Sequence, residues 1–275
     1  MAATSEHGVM PRRWYSAYVF DLDGTIYLGD QLLPTVAETI LRLHDRDVPV
    51  RYLSNNPTRG VSEYLDKLSR LGVPVKPGGV VNTLVSTTTW LRANRPDAVV
   101  YPIGEAPLHR ALTEAGIQLS DDPARIDIVL ASYDRTFEYR KLQIAFDALR
   151  FHGRAVLMST NPDRYCPFPG GRGEPDAASI VAAIEACTGV VCERTFGKPS
   201  GLMAQMVLQT VEAEPSDAVM IGDRLATDIA MGIAAGMDTA LVLTGDSRRE
   251  EIGSLPTSMH PTYVLEHLAD LLPES

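Results

Sequence analysis

Short, nearly continuous apolar runs alternate along the chain with longer amphipathic stretches. The runs cover residues 17–20, 48–53, 98–103, 126–131, 155–158, 218–221 and 239–243. The amphipathic stretches cover residues 35–45, 107–115, 139–151, 177–187 and 202–211. Apolar runs too short for a helix read as strands buried on both faces, and the stretches between them as helices with one apolar side. This alternation predicts an α/β fold, a doubly wound parallel sheet with helices on both faces. No internal repeat and no low-complexity segment interrupts it. Residues 1–13 lack periodicity and are expected to form a loose arm. Residues 161–175 hold four prolines and three glycines, which predicts a rigid extended loop, of a length that often carries function.

Three of the runs end in an abrupt polar cluster. The first ends in Asp21-Leu22-Asp23-Gly24-Thr25, the second in Ser54-Asn55-Asn56, and the sixth in Gly222-Asp223-Arg224 with Asp228 following. Ligands of open α/β sheets bind beyond the carboxyl ends of the strands, so neighbouring strands would bring these clusters to one crevice. Asp21 and Asp23 are two apart, which puts both on one face of extended backbone. With Asp223 they make three carboxylates that would repel and raise one another's pKa. A hard divalent cation resolves the conflict, and Mg2+ suits one or two carboxylates together with a phosphate. Ser54 offers a hydroxyl, and the amides after it can cradle phosphate oxygens. Lys198, in Gly197-Lys198-Pro199-Ser200, is a point charge placed where Pro199 can open a helix. Each element alone has a plainer reading: a solvated turn for Asp-x-Asp, a cap and turn for Ser54-Asn55-Asn56-Pro57, a surface lysine, an ordinary strand-to-helix turn. Their joint occurrence in this order is what points to a site.

Composition narrows the partners. The 275 residues suit one large or two modest domains. Against 35 Asp+Glu there are 25 Lys+Arg, a formal charge of −10 that speaks against nucleic acid as the main partner. The absence of a long apolar run or a signal-type segment speaks against a membrane and against secretion. Cys166, Cys187 and Cys192 form no CxxC and read as reduced thiols, hence a cytoplasmic protein. The six histidines show no paired metal spacing, and no zinc is assigned.

The set Phe20-Asp21-Leu22-Asp23-Gly24-Thr25, Ser54-Asn55-Asn56, Gly197-Lys198-Pro199 and Gly222-Asp223-Arg224 with Asp228 resembles the haloacid dehalogenase (HAD) superfamily. The spacing looks like its subclass IIA, the NagD-like or para-nitrophenyl phosphatase group, and the resemblance covers nearly the whole chain from about residue 15. It implies a Rossmann-like core of residues 1–83 and 195–275 with a smaller inserted α/β cap of residues 84–194. It also implies roles. Asp21 would be the nucleophile that forms an aspartyl-phosphate, and Asp23 the acid and then the base. Mg2+ would be held by the Asp21 carboxylate, the Asp23 carbonyl and Asp223, with Asp228 orienting metal-bound water. Ser54, the amides of Gly24 and Asn55, and Lys198 would bind phosphoryl oxygens. Relatives that break carbon–halogen bonds lack an acid at the place of Asp23, so its presence favours phosphorus chemistry.

The implied activity is Mg2+-dependent hydrolysis of a small phosphate monoester, of the sugar phosphate, nucleoside monophosphate or phosphoglycolate type. A phosphotransferase or mutase on the same scaffold and a non-catalytic phosphometabolite-binding module are the alternatives. The cap should choose the substrate. Its candidate residues are Asn161, Asp163 and Arg164, in an Asn-Pro-Asp element after one cap strand, and Tyr133 and Asp134 after another. Caps of this subclass often pair, which implies a homodimer.

Overall fold

A computed structural model describes residues 10–168 and 172–273. Most of the expected arm, and Pro169, Gly170 and Gly171 of the expected loop, lie outside the described residues. Each apolar run forms a strand, and the chain divides into two compact units.

The first unit contains the described residues up to Ser54, Tyr64–Val81, and those from Ala204 onward. Its six-stranded sheet runs in the order Tyr263–Leu265, Asp238–Val242, Ala218–Gly222, Ala17–Asp21, Val50–Ser54, Val80–Asn82. In chain order this is 6-5-4-1-2-3, the doubly wound arrangement whose direction reverses beside the first strand. That strand pairs in parallel on both sides, Phe20 with Ile221 and Asp21 with Leu53. All its residues are buried, as are those of Ala218–Gly222, because helices cover both faces. Tyr18 stacks on Phe20 along the strand, and Phe20 meets Tyr52 of the neighbouring strand at a tilt, with centroids 6.4 and 6.1 Å apart. Each such ring contributes roughly 1.5–3 kcal/mol on burial. Helix Val36–Asp45 buries Val36, Thr39, Ile40 and Leu43, one face at helical spacing.

The second unit contains Asn55–Glu63 and Asn82–Met203. Its five strands, Arg194–Thr195, Val156–Ser159, Ile128–Ala131, Val99–Ile103 and Gln118–Leu119, lie in that order, and all their pairings are parallel. The pleat splits the central strand between two cores. Val129 and Ala131 pack with Ile180 and Ile184, whereas Ile128 and Leu130 pack with Leu108 and Leu112.

The stretch 161–175 is not wholly a loop. Tyr165–Phe168 pairs antiparallel with Arg172–Pro175. Prolines are tolerated because a two-stranded ribbon has only edges, where a missing N–H breaks no second ladder. The helix expected over 139–151 is regular only for Tyr139–Phe146. Helices Val61–Arg70 and Thr83–Asn94 were not legible in the pattern. The first buries only Tyr64, Lys67 and Leu68. The second carries a threonine run of low helix propensity, offset by Asn82, which accepts the Val85 N–H at its N-terminus (3.1 Å). Among the described residues no helix is long and apolar enough to cross a membrane.

Candidate active site

Asp21 ends the Ala17–Asp21 strand, and Asp223 follows Ala218–Gly222, its direct neighbour. These two strands flank the point where strand order reverses. One carboxylate oxygen from each of Asp21, Asp223 and Asp228 lies within 4.8 Å of the others, and all three residues are buried. Asp228 is turned inward where the chain coils back after the strand, and its Oδ2 accepts the Arg224 N–H at 3.1 Å. Three buried carboxylates this close raise one another's cost of ionisation unless a cation shares their charge. An all-oxygen donor set fits Mg2+ rather than a metal that prefers thiolate or imidazole. The Asp23 side chain is exposed and stands outside this group.

Asp223 is held from two sides. A Cβ at Gly24 (φ +93°) or at Gly245 would overlap its carboxylate, so both positions need glycine. The Asp246 N–H donates to Asp223 Oδ2 (2.8 Å) and the Ser247 N–H to the Asp223 carbonyl (3.0 Å). The Thr244 hydroxyl donates to the Gly24 carbonyl (2.7 Å), tying this loop to the one that follows Asp21. This loop is not among the clusters singled out from the sequence. Its signal was present, since the apolar run 239–243 also ends in a polar cluster, Thr244-Gly245-Asp246-Ser247. The Gly24 N–H, which the resemblance gives to a phosphoryl oxygen, is donated to the Tyr27 carbonyl (2.8 Å). Ser54 ends the strand on the other side of Ala17–Asp21, and its Oγ lies 2.9 Å from Tyr64 Oη.

In the second unit Asn55 grips the backbone of Lys198. Its Oδ1 accepts the Lys198 N–H (2.7 Å) and its Nδ2 donates to the Lys198 carbonyl (3.0 Å). A carboxamide offers acceptor and donor side by side to one residue's backbone, which a carboxylate does not. The Asn55 carbonyl in turn accepts from Thr83 Oγ1 (3.1 Å) and Asn161 Nδ2 (3.2 Å). Lys198 is buried, and the following helix starts at Gly201 rather than at Pro199. Asn55→Asp would set a carboxylate oxygen against the Lys198 carbonyl. The variant is expected to lose about 1–3 kcal/mol of stability, the cost of an unmade buried hydrogen bond, measurable as a lower urea midpoint at unchanged slope. A midpoint equal to the parent's would show that the grip contributes nothing.

The cap residues singled out in the sequence divide into two sets. Asn161 is fully buried, and its Oδ1 accepts the Asp163 N–H (2.9 Å), so it braces Asn55 and its own loop. Asp134 accepts from Thr136 Oγ1 (2.7 Å) and from Lys141 Nζ (2.6 Å). Burial alone would raise its carboxyl, but these partners together hold it below the usual range. Tyr133 donates a short hydrogen bond to Glu174, and burial first, then this carboxylate, pushes its phenol upward. Asp163 is half-buried and Arg164 exposed.

The family model described as haloacid dehalogenase-like hydrolase matches residues 18–118, and one described as HAD-hydrolase-like matches residues 195–271. The acid sugar phosphatase of Staphylococcus haemolyticus is 34% identical over 92% of this chain and 94% of its own length. Among solved structures, 4-nitrophenylphosphatase from Thermotoga maritima is 31% identical, with a TM-score of 0.86 over 94% of this chain and 96% of that one. NagD from E. coli K-12 is 27% identical, with a TM-score of 0.82 over 94% and 98%.

Proposed function

This chain belongs to the haloacid dehalogenase superfamily, in its NagD-like subclass IIA, and is a phosphoric monoester hydrolase; we propose that it hydrolyses small sugar-phosphate-type esters with Mg2+ through an aspartyl-phosphate on Asp21. The observation that carries this reading is the buried Asp21, Asp223 and Asp228 group at the reversal point of the sheet. The Asp21 carboxylate attacks phosphorus while the ester oxygen departs and takes a proton from Asp23. Asp23, now a carboxylate, removes a proton from the water that attacks the aspartyl-phosphate, and inorganic phosphate leaves. Its exposure suits a group that must meet both leaving group and water. A Mg2+ held by the Asp21 and Asp223 carboxylates and the Asp23 carbonyl, with Asp228 behind them, would neutralise charge on the phosphoryl oxygens. The Ser54 hydroxyl, the Asn55 N–H and the Lys198 ammonium do the same from the protein.

Sugar phosphates come first because the curated relatives carry that name. Asp163 and Arg164 are the cap side chains assigned here to the leaving group, since Asn161, Tyr133 and Asp134 serve the cap's own structure. The test is phosphate release from a panel of phosphate esters in the presence of Mg2+. Sugar phosphates are expected to lead. Release mainly from nucleoside monophosphates or phosphoglycolate would replace that substrate class. Transfer to an added alcohol in preference to water would replace hydrolysis by phosphotransfer.

A further inference from the structure

We propose that Tyr64 is the positioning residue for Ser54: its phenol donates to the Ser54 oxygen and so turns the serine's own proton toward a bound phosphoryl group. The inference rests on the reading of Ser54 as a phosphoryl-binding hydroxyl. The two oxygens are 2.9 Å apart, and Ser54 and Tyr64 are 3% and 1% exposed, so bulk water does not compete for this bond.

A pair of hydroxyls can bond in either direction, and the chemistry of the ligand chooses one. A phosphoryl dianion has no proton to give. A serine that serves it must spend its single proton outward, and its oxygen can then accept a bond from another donor. Tyr64 is in place to provide it. In the reverse direction the serine proton would point at Tyr64, and only lone pairs would face the anion. Aligned in the first sense, each O–H strengthens the next, and the chain ends on the charge where a hydrogen bond is worth most.

The fold keeps the phenol where it is. Tyr64 lies on helix Val61–Arg70, whose buried face also carries Lys67 one turn on. The Lys67 ammonium lies 3.4 Å from the Tyr27 ring centroid and 3.9 Å from Asp30 Oδ1. Tyr27 belongs to the hairpin after Asp23 and Gly24, and its carbonyl accepts the Gly24 N–H. One helix therefore bears on the strand end that carries Ser54 and on the hairpin behind Asp23. Phenylalanine would fill the same space, so Tyr64→Phe removes the hydroxyl and leaves the packing.

Inorganic phosphate is the probe. Its inhibition constant, and KM and kcat for 4-nitrophenyl phosphate, are measured with Mg2+ for the parent, Tyr64→Phe, Ser54→Ala and the double variant. Tyr64→Phe is expected to weaken phosphate and raise KM about tenfold, the size of one net hydrogen bond, with a smaller change in kcat. Ser54→Ala should cost at least as much, and the double variant no more than Ser54→Ala alone. With 3-fluorotyrosine at position 64 only, a stronger donor of nearly the same shape, phosphate should bind more tightly. Losses that multiply in the double variant, or a Tyr64→Phe protein that binds phosphate like the parent, overturn the proposal. If Tyr64→Phe does not fold, a fluorotyrosine protein with unchanged affinity overturns it. Unchanged phosphate binding and KM in Ser54→Ala would instead remove Ser54 as a phosphoryl donor, and the inference with it.

Discussion

Asp21→Asn is expected to reduce phosphate release by on the order of 10^4-fold or more, the scale on which removal of a nucleophile is felt. The amide matches the carboxylate in shape, so the strand it ends, paired on both sides and buried throughout, has no reason to move. An amide oxygen does not form the acyl phosphate, and neither the second aspartate nor the lysine replaces it. The variant also removes one of three like charges from the group formed with Asp223 and Asp228. Without metal, it should therefore unfold at the same temperature as the parent or a higher one, because relief of repulsion stabilises a buried acidic cluster. Activity lost together with the fold would leave the loss without chemical meaning, so both are measured on one preparation. Release above about one per cent of the parent's, a far smaller loss than removal of a nucleophile causes, would remove Asp21 from that role.

Removal of divalent cations is the second large effect. A chelator should bring phosphate release to background, and added Mg2+ should restore it. The same ion should raise the unfolding temperature, since a ligand bound only by the folded state stabilises it by about 2.7 kcal/mol at a hundred times its Kd. Asp223→Asn should suppress that thermal shift, because Asp223 is enclosed by Gly24, Gly245 and the Asp246 N–H and offers its carboxylate to the cluster. Undiminished turnover in chelator would contradict the metal reading. A thermal shift that survives in Asp223→Asn would move the ion away from this cluster.

Much of the fold is legible in the sequence alone. The apolar runs lie within a residue or two of the strands, and the three polar clusters that follow them became the ends of three adjacent strands. The losses have physical causes. Val61–Arg70 has too narrow an apolar face, and Thr83–Asn94 too many β-branched residues, to announce a helix. The prolines of 161–175 read as a loop because proline argues against the middle of a sheet, whereas here the partner is a single strand. Asn161 and Asp134 look like ligand-reading residues by type and place. Burial and close internal partners give them structural work, which their type and place in the sequence did not announce.

What the sequence determined by itself was local: which segments form strands, which helices, and which strand ends carry carboxylates, a hydroxyl or a lysine. Alternation and strand-end chemistry are written within a few consecutive residues, and the doubly wound sheet turns them into a site almost by construction. The tertiary structure alone decided which groups share a proton or a charge. Asp228 joins Asp21, the Asp246 N–H reaches Asp223, Asn55 grips Lys198, and Tyr64 meets Ser54. Such pairs join residues on different elements of the chain whose types are ordinary where they stand. Their bonds exist only at distances near 3 Å, and those distances are set by how whole helices and strands pack.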